Sequence, residues 1–200
     1  MRSIAVVTDN SRTRLAEALR RNLEEVLAGQ AQIHHYPLDT LRPGDPIDDD
    51  LVLIMLNRRI PSLEGHVADA QRILVVRRTL REQDVYRIFA IPPGTRVLVV
   101  NDHPETTLET VALLQQLKID HLQFVPFQEG LDCADIRIAI TPGERDKVPA
   151  AIPTVIDVGH RCIDISTFIE IINRLGIADP AVDRRLVLIV LSVRQQFVLH

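Results

Sequence analysis

The chain has little of what usually announces a chemistry. Among its 200 residues there is no tryptophan, aromatics make up 4%, and there are two cysteines. Cys133 and Cys162 lack any CxxC spacing and are too few for a disulfide scaffold, so two reduced, partly buried thiols are expected. Lysine is nearly missing as well: of 23 basic residues only Lys118 and Lys147 are not arginine. Neither sign of charge dominates, with 27 acids against those 23 bases and a net charge of −4, which excludes a chain whose whole surface grips nucleic acid. The longest apolar runs, Leu51–Leu56 and Leu186–Leu191, fall far short of the ~18 residues of a membrane span. The N-terminus reaches Asp9 after a short apolar run, which excludes a secretory signal, and a cytoplasmic protein is expected. There is no GxGxxG and no Gly-x-x-x-x-Gly-Lys-Ser/Thr, hence no dedicated cradle for a nucleotide phosphate. His34 and His35 adjoin in a strand-like stretch and would point to opposite faces. The other histidines, His66, His103, His121, His160 and His200, have no metal-ligand spacing, so neither a metal nor a cofactor is expected.

What is present is 46% hydrophobic residue content arranged in short runs. Ile4–Val7, Leu51–Leu56, Ile73–Val76, Val97–Val100, Leu122–Val125, Ile136–Ile140 and Val155–Val158 end abruptly at polar or turn residues. Runs so short and continuous predict strands buried on both faces, as in parallel sheets covered by helices. Helical stripes lie between them: Leu15, Leu19, Leu23, Val26 and Leu27, closed by Gly29; and Leu108, Val111, Leu114 and Leu117. A third helix is expected to start at Thr167, whose spacing to Glu170 is that of a capping box. It would turn Phe168, Ile171, Ile172 and Leu175 inward and stop at Gly176. Alternating strands and helices give an α/β class.

A shift of 93 positions superposes Val6-Val7-Thr8-Asp9 on Val99-Val100-Asn101-Asp102, Thr13 on Thr106 and Leu15 on Leu108. An internal duplication would leave this trace, and so would two unrelated βα units. Ile91-Pro92-Pro93-Gly94 continues neither a helix nor a central strand. The expected division is therefore a first α/β lobe over residues 1–92, a second over 93–178, and a linking or dimerisation segment over 179–200. In that last segment Val182, Leu186, Ile189, Val190, Val193 and Phe197 stand at near-helical spacing, while its β-branched content suits a strand equally. Such a segment must bury itself on its own domain or on a second copy, and a homodimer through it is expected, the chain reading as a fragment of a longer protein.

In open parallel sheets ligands bind beyond the carboxyl ends of strands. The residues there are Thr8-Asp9-Asn10, Asn57-Arg58-Arg59, Arg77-Arg78-Thr79, Asn101-Asp102-His103, Thr141-Pro142-Gly143-Glu144-Arg145 and Asp157-Val158-Gly159-His160-Arg161. Arginine recurs at four of these six ends, and guanidinium forks match carboxylate or phosphate, so Arg58, Arg77, Arg78, Arg145 and Arg161 are candidates for one anion-holding cleft. The candidate ligand-binding set is Asp9, Asn57, Arg58, Arg77, Arg78, Asn101, Thr141, Gly143, Glu144, Asp157 and Arg161. Gly143 would let the backbone approach a ligand, and Asp157 and Arg161 would either pair or divide a polar ligand between them. No catalytic residue is assigned. Val97–Asp102 is like the opening of a phosphorylation receiver, but no Asp closes a third strand in that register. A racemase would need facing cysteines from both halves, and Cys162 beside His160 lacks an evident orienting group.

Taken together, Ile91–Asp102, Glu105-Thr106-Thr107, Ile138–Glu144 and Val155–Phe168 resemble the N-terminal sensory region of sigma-54-dependent transcriptional activators, related to that of the propionate-catabolism regulator. The resemblance spans most of residues 1–177 and is specific only in the second half. It implies two Rossmann-like or flavodoxin-like lobes with parallel sheets, periplasmic-binding-protein-like, plus the C-terminal apolar segment. It further implies a cytoplasmic sensor that takes a small polar or anionic metabolite between the lobes and signals to ATPase and DNA-binding domains absent from this chain, without itself touching nucleic acid or membrane. The alternative is a small-molecule enzyme of unknown reaction on the same two-lobe fold, and a dimerisation module with a vestigial cleft is a third possibility.

Overall fold

The computed structural model describes residues 1–10 and 13–195. The chain divides into two compact units, Met1–Arg78 with Cys162–His200, and Thr79–Arg161. The crossings therefore fall at 78/79 and 161/162 rather than at Pro92-Pro93. Pro92 and Pro93 mark a turn inside the second unit, and residues 162–195 return to the first.

The first unit runs β1 (Arg2–Thr8), α1 (Thr13–Leu27), β2 (Ala31–Pro37), β3 (Leu51–Ile54) and β4 (Ile73–Val75), in the parallel order β2-β1-β3-β4. At the crossings β5 (Arg78–Thr79) belongs to a separate two-stranded ladder with β10 (Cys162–Ile163). The second unit contains α2 (Glu82–Val85), β6 (Arg96–Val99), α3 (Pro104–Gln116), β7 (Gln123–Pro126), β8 (Ile138–Thr141) and β9 (Thr154–Asp157), in the order β7-β6-β8-β9. After β10 come α4 (Ile165–Leu175) and α5 (Pro180–Gln195). Each of the seven apolar runs became a strand, and every pairing in the two four-stranded sheets is parallel.

The alternation of a strand decides which residues meet which cover. In the first unit Ile4, Val6, Leu51, Leu53 and Leu74 face α1, α4 and α5, while Ala5, Val7, Val52 and Ile54 face Ile47 and Leu63 on the connecting loops. In the second, Val97, Val99 and Ile140 meet Leu114 of α3 and Val85 and Ile88, and Leu98, Val100 and Ala139 meet Ile136 and Ile152. Each fully buried side chain of this size contributes roughly 1.5–3 kcal/mol relative to exposure.

Two helices depart from the sequence pattern, and a third resolves an open alternative. In α3 the buried residues are Thr106, Thr107, Thr110 and Leu114, and Leu108 is exposed. The threonine hydroxyls satisfy themselves on the preceding turn, Thr110 Oγ1 to the Thr106 carbonyl and Thr107 Oγ1 to the His103 carbonyl, and so can enter the core. In α4 the cap is Asp164, whose carboxylate accepts the Ser166 N–H, while Thr167 is a buried residue of the first turn. The inward set Phe168, Ile171, Ile172 and Leu175 and the left-handed stop at Gly176 are as expected. The segment after Asp179 is a helix. Val182 is fully buried, and Leu186 and Ile189 pack on the core of the first unit, leaving Val187 and Leu188 exposed. Phe197 lies outside the described residues, as do the side chains of Val190 and Val193. No described helix is long and apolar enough to cross a membrane.

Candidate functional site

Both four-stranded sheets reverse direction of progress at their second strand, so the crevices open between β1 and β3 and between β6 and β8. Register makes the two crevices comparable. Val6 pairs with Leu53 as Val99 pairs with Ile140, which places Ile54 on Thr141 and Arg58 on Arg145. Each arginine stands four residues past its strand and in a short 3-10 turn. The order, the register and the arginine repeat together, which the bare match at Val6–Asp9 and Val99–Asp102 could not establish.

In the first crevice Asp9 meets Arg59. The guanidinium Nη2 donates to Oδ2 at 2.8 Å, and Nε lies 2.8 Å from Oδ1. Asn57 and Arg58 lie exposed beside this pair. Thr8 is buried and its hydroxyl donates to the Asn10 carbonyl at 2.7 Å, so the His35 Nε2 at 2.7 Å must bring the proton to that oxygen. Burial lowers the His35 pKa below its ordinary value, opposed by the charge of Asp39. Arg77 is exposed at the end of β4 and Arg78 half-buried. The Arg77 peptide is held on both sides: its N–H donates to Thr167 Oγ1 at 3.0 Å and its carbonyl accepts from the Asp164 N–H at 2.9 Å.

In the second crevice most candidates hold the scaffold. Asn101 Nδ2 donates to the Thr106 carbonyl and to Thr110 Oγ1, and its Oδ1 accepts the Asp102 N–H. Asp102 in turn accepts the Thr106 hydroxyl at 2.7 Å. Thr141 is fully buried and accepts the Glu144 N–H. Asp157 and Arg161 take other partners rather than each other. Asp157 Oδ1 accepts the N–H groups of Gly143 and Gly159, both at 2.9 Å, tying the loops after β8 and β9 together. Arg161, 8% exposed, pairs with Glu109 of α3 at 2.7 Å. Its charge is thereby matched within the unit. Gly143 has a φ of +88° and lies against the imidazole of His160, so a Cβ there would collide with the ring.

The chain matches no family model, no curated protein and no solved structure.

Most residues of the candidate set thus fall into two groups. Asn101, Thr141, Asp157 and Arg161 organise loops, and Gly143 makes room for His160. Asn57, Arg58 and Arg77, all exposed, stand at strand ends of the first unit. Arg145 is exposed at the equivalent place in the second, beside the half-buried Glu144. Sequence reading missed the acids that neutralise arginine, Asp9 for Arg59 and Glu109 for Arg161. Glu109 had no local signal, being 52 positions from its partner. The contact of His35 with Thr8 joins neighbouring strands and could have been found only with the register of β1 and β2. Among the described residues no group of His, Cys, Asp and Glu is placed to hold a metal ion.

Proposed function

We propose that the chain is a signal-receiving module that binds a small polar or anionic molecule at the carboxyl ends of its strands and passes occupancy on through α4 and α5. On this reading it is the sensory part of a sigma-54-dependent type of activator and works in the cytoplasm, and downstream ATPase and DNA-binding parts read the position of α5. The observation that carries the reading is the path of the chain. It leaves the second unit at Arg161, whose guanidinium is fixed to Glu109 on α3, and enters β10 and α4 within a few residues. There Ile163 donates its N–H to Asn22 of α1 and Thr167 holds the Arg77 peptide, so outgoing and returning segments of the first unit are joined at the base of α4. A shift at either segment reaches α5 through one helix and a short turn.

Arg58 and Arg145 are the groups best suited to recognise an acid, as exposed guanidinium donors at equivalent strand ends. A charge-assisted contact of this kind contributes about 1.5–3 kcal/mol, so losing one weakens binding by roughly one to two orders of magnitude. Calorimetry of the chain against carboxylates and phosphate esters tests this. A saturable ligand whose affinity falls on Arg58→Ala or Arg145→Ala supports the reading, and a ligand indifferent to both substitutions places the site elsewhere.

A further inference from the structure

The open edge of the first unit's sheet carries an inference that does not depend on the ligand. β2 is outermost in the order β2-β1-β3-β4. Leu38 donates its N–H inward to the Thr8 carbonyl at 2.8 Å. Peptide groups alternate along a strand, so Tyr36, His34 and Gln32 also turn inward, and Ile33 and His35 present their N–H and C=O groups to the open side. A groove of about 490 Å³ runs along this edge, lined by Ala31, Ile33 and His34 of the strand and by Arg20 and Glu24 of α1. Edge strands are normally blunted by lysine, proline or a bulge. β2 has no lysine, its one proline is the terminal Pro37, and its register with β1 runs without interruption.

The charges on the neighbouring helix identify the occupant. Along the exposed side of α1 stand Arg20 and Arg21, followed one turn later by Glu24 and Glu25. A surface that meets a copy of itself across a two-fold axis must be complementary to its own reverse. This one is, because running α1 antiparallel to itself sets arginine against glutamate. We propose that this edge is a homodimer interface, with β2 paired antiparallel to β2 of a second copy. Ile33 of each chain exchanges backbone hydrogen bonds with His35 of the other, and Arg20 of each faces Glu24 of the other. The pair Arg20–Glu24, 2.7 Å apart within one helix, then exchanges partners across the axis. The strand edge alone is too small for a stable interface of about 1,200–2,000 Å², so the flank of α1 has to take part.

The test is sedimentation equilibrium of the full chain, its Arg20→Glu and Glu24→Arg variants, and an equimolar mixture of the two variants. Both positions are exposed on a helix, and circular dichroism checks that each variant is folded. The proposal expects a wild-type dimer, at least tenfold weaker association of each variant alone, and recovery of a dimer in the mixture, where the two acids of one chain would meet the two bases of the other. A monomeric wild-type chain overturns it. So does a dimer that survives both reversals, or a mixture that fails to recover. A dimer lost on Leu188→Glu but kept in both charge variants would assign association to the outer face of α5 instead.

Discussion

A single backbone angle and one ring set the loop after β8. Gly143→Ala places a side chain at φ +88° and drives its Cβ into the His160 imidazole. The left-handed backbone alone costs about 1–2 kcal/mol, and the collision adds to it. Chemical denaturation should show Gly143→Ala destabilised, with part of the loss recovered in Gly143→Ala/His160→Ala, since removing the ring relieves the collision but not the angle. His35 gives a pH signature. Its folded pKa lies below the unfolded 6.5, so the native state binds fewer protons than the unfolded chain wherever the two differ. This contribution is fully present above 6.5 and is lost as pH falls through the lowered folded value. Denaturation midpoints measured from pH 8 down to pH 5 should therefore decline less steeply in His35→Gln than in the wild type, and an unchanged slope would count against a partly desolvated imidazole with a lowered pKa. Thr167→Val strands the Arg77 N–H and should cost about 1–3 kcal/mol, whereas Thr167→Ser, which keeps the acceptor, should cost much less.

At the scale of elements, α5 has two unequal faces. Deleting residues 180–200 uncovers the part of the first unit's core on which Val182, Leu186 and Ile189 pack, and an aggregating or strongly destabilised product is expected by light scattering and thermal melting. Leu188→Ser touches the exposed face and should stay within about 0.5 kcal/mol of the wild type, while Ile171→Ala on buried α4 should cost about 2–5 kcal/mol. The strands buried on both faces were legible because a continuous apolar run has few other uses. β2 was not among those runs: as an edge strand it carries Gln32, His34 and His35, and its place is fixed by pairing with β1. On α3 Val111, Leu114 and Leu117 pack on the core as the stripe predicts, but Leu108 is exposed, because threonines that bond their own helix take the core positions of the first turns. Thr167 looked like a cap because its spacing to Glu170 is that of a capping box, but its hydroxyl accepts the N–H of Arg77 rather than one of its own helix. The compact units do not divide at Pro92-Pro93, because chain-breaking residues mark turns whereas a unit is defined by packing, and the packing carries α4 and α5 back to the first sheet.

For the whole molecule, the two four-stranded sheets share one strand order, and the chain returns from the second unit to the first through β10 and α4. The strand-end positions were readable from sequence, because a polar cluster after an apolar run in a parallel sheet has to sit at its carboxyl edge. Which arginines serve the scaffold was not, since Asp9 and Glu109 come from distant positions. The most direct measurement is hydrogen exchange of the full chain with and without saturating citrate, succinate or inorganic phosphate, each first screened by calorimetry. The account expects at least one of these acids to bind saturably and to protect amides at the strand ends near Arg58 or Arg145, with a linked change at the start of α4 and in α5. Binding with protection confined to the strand ends and no change in α4 or α5, or no saturable binding by any of the three, would contradict it.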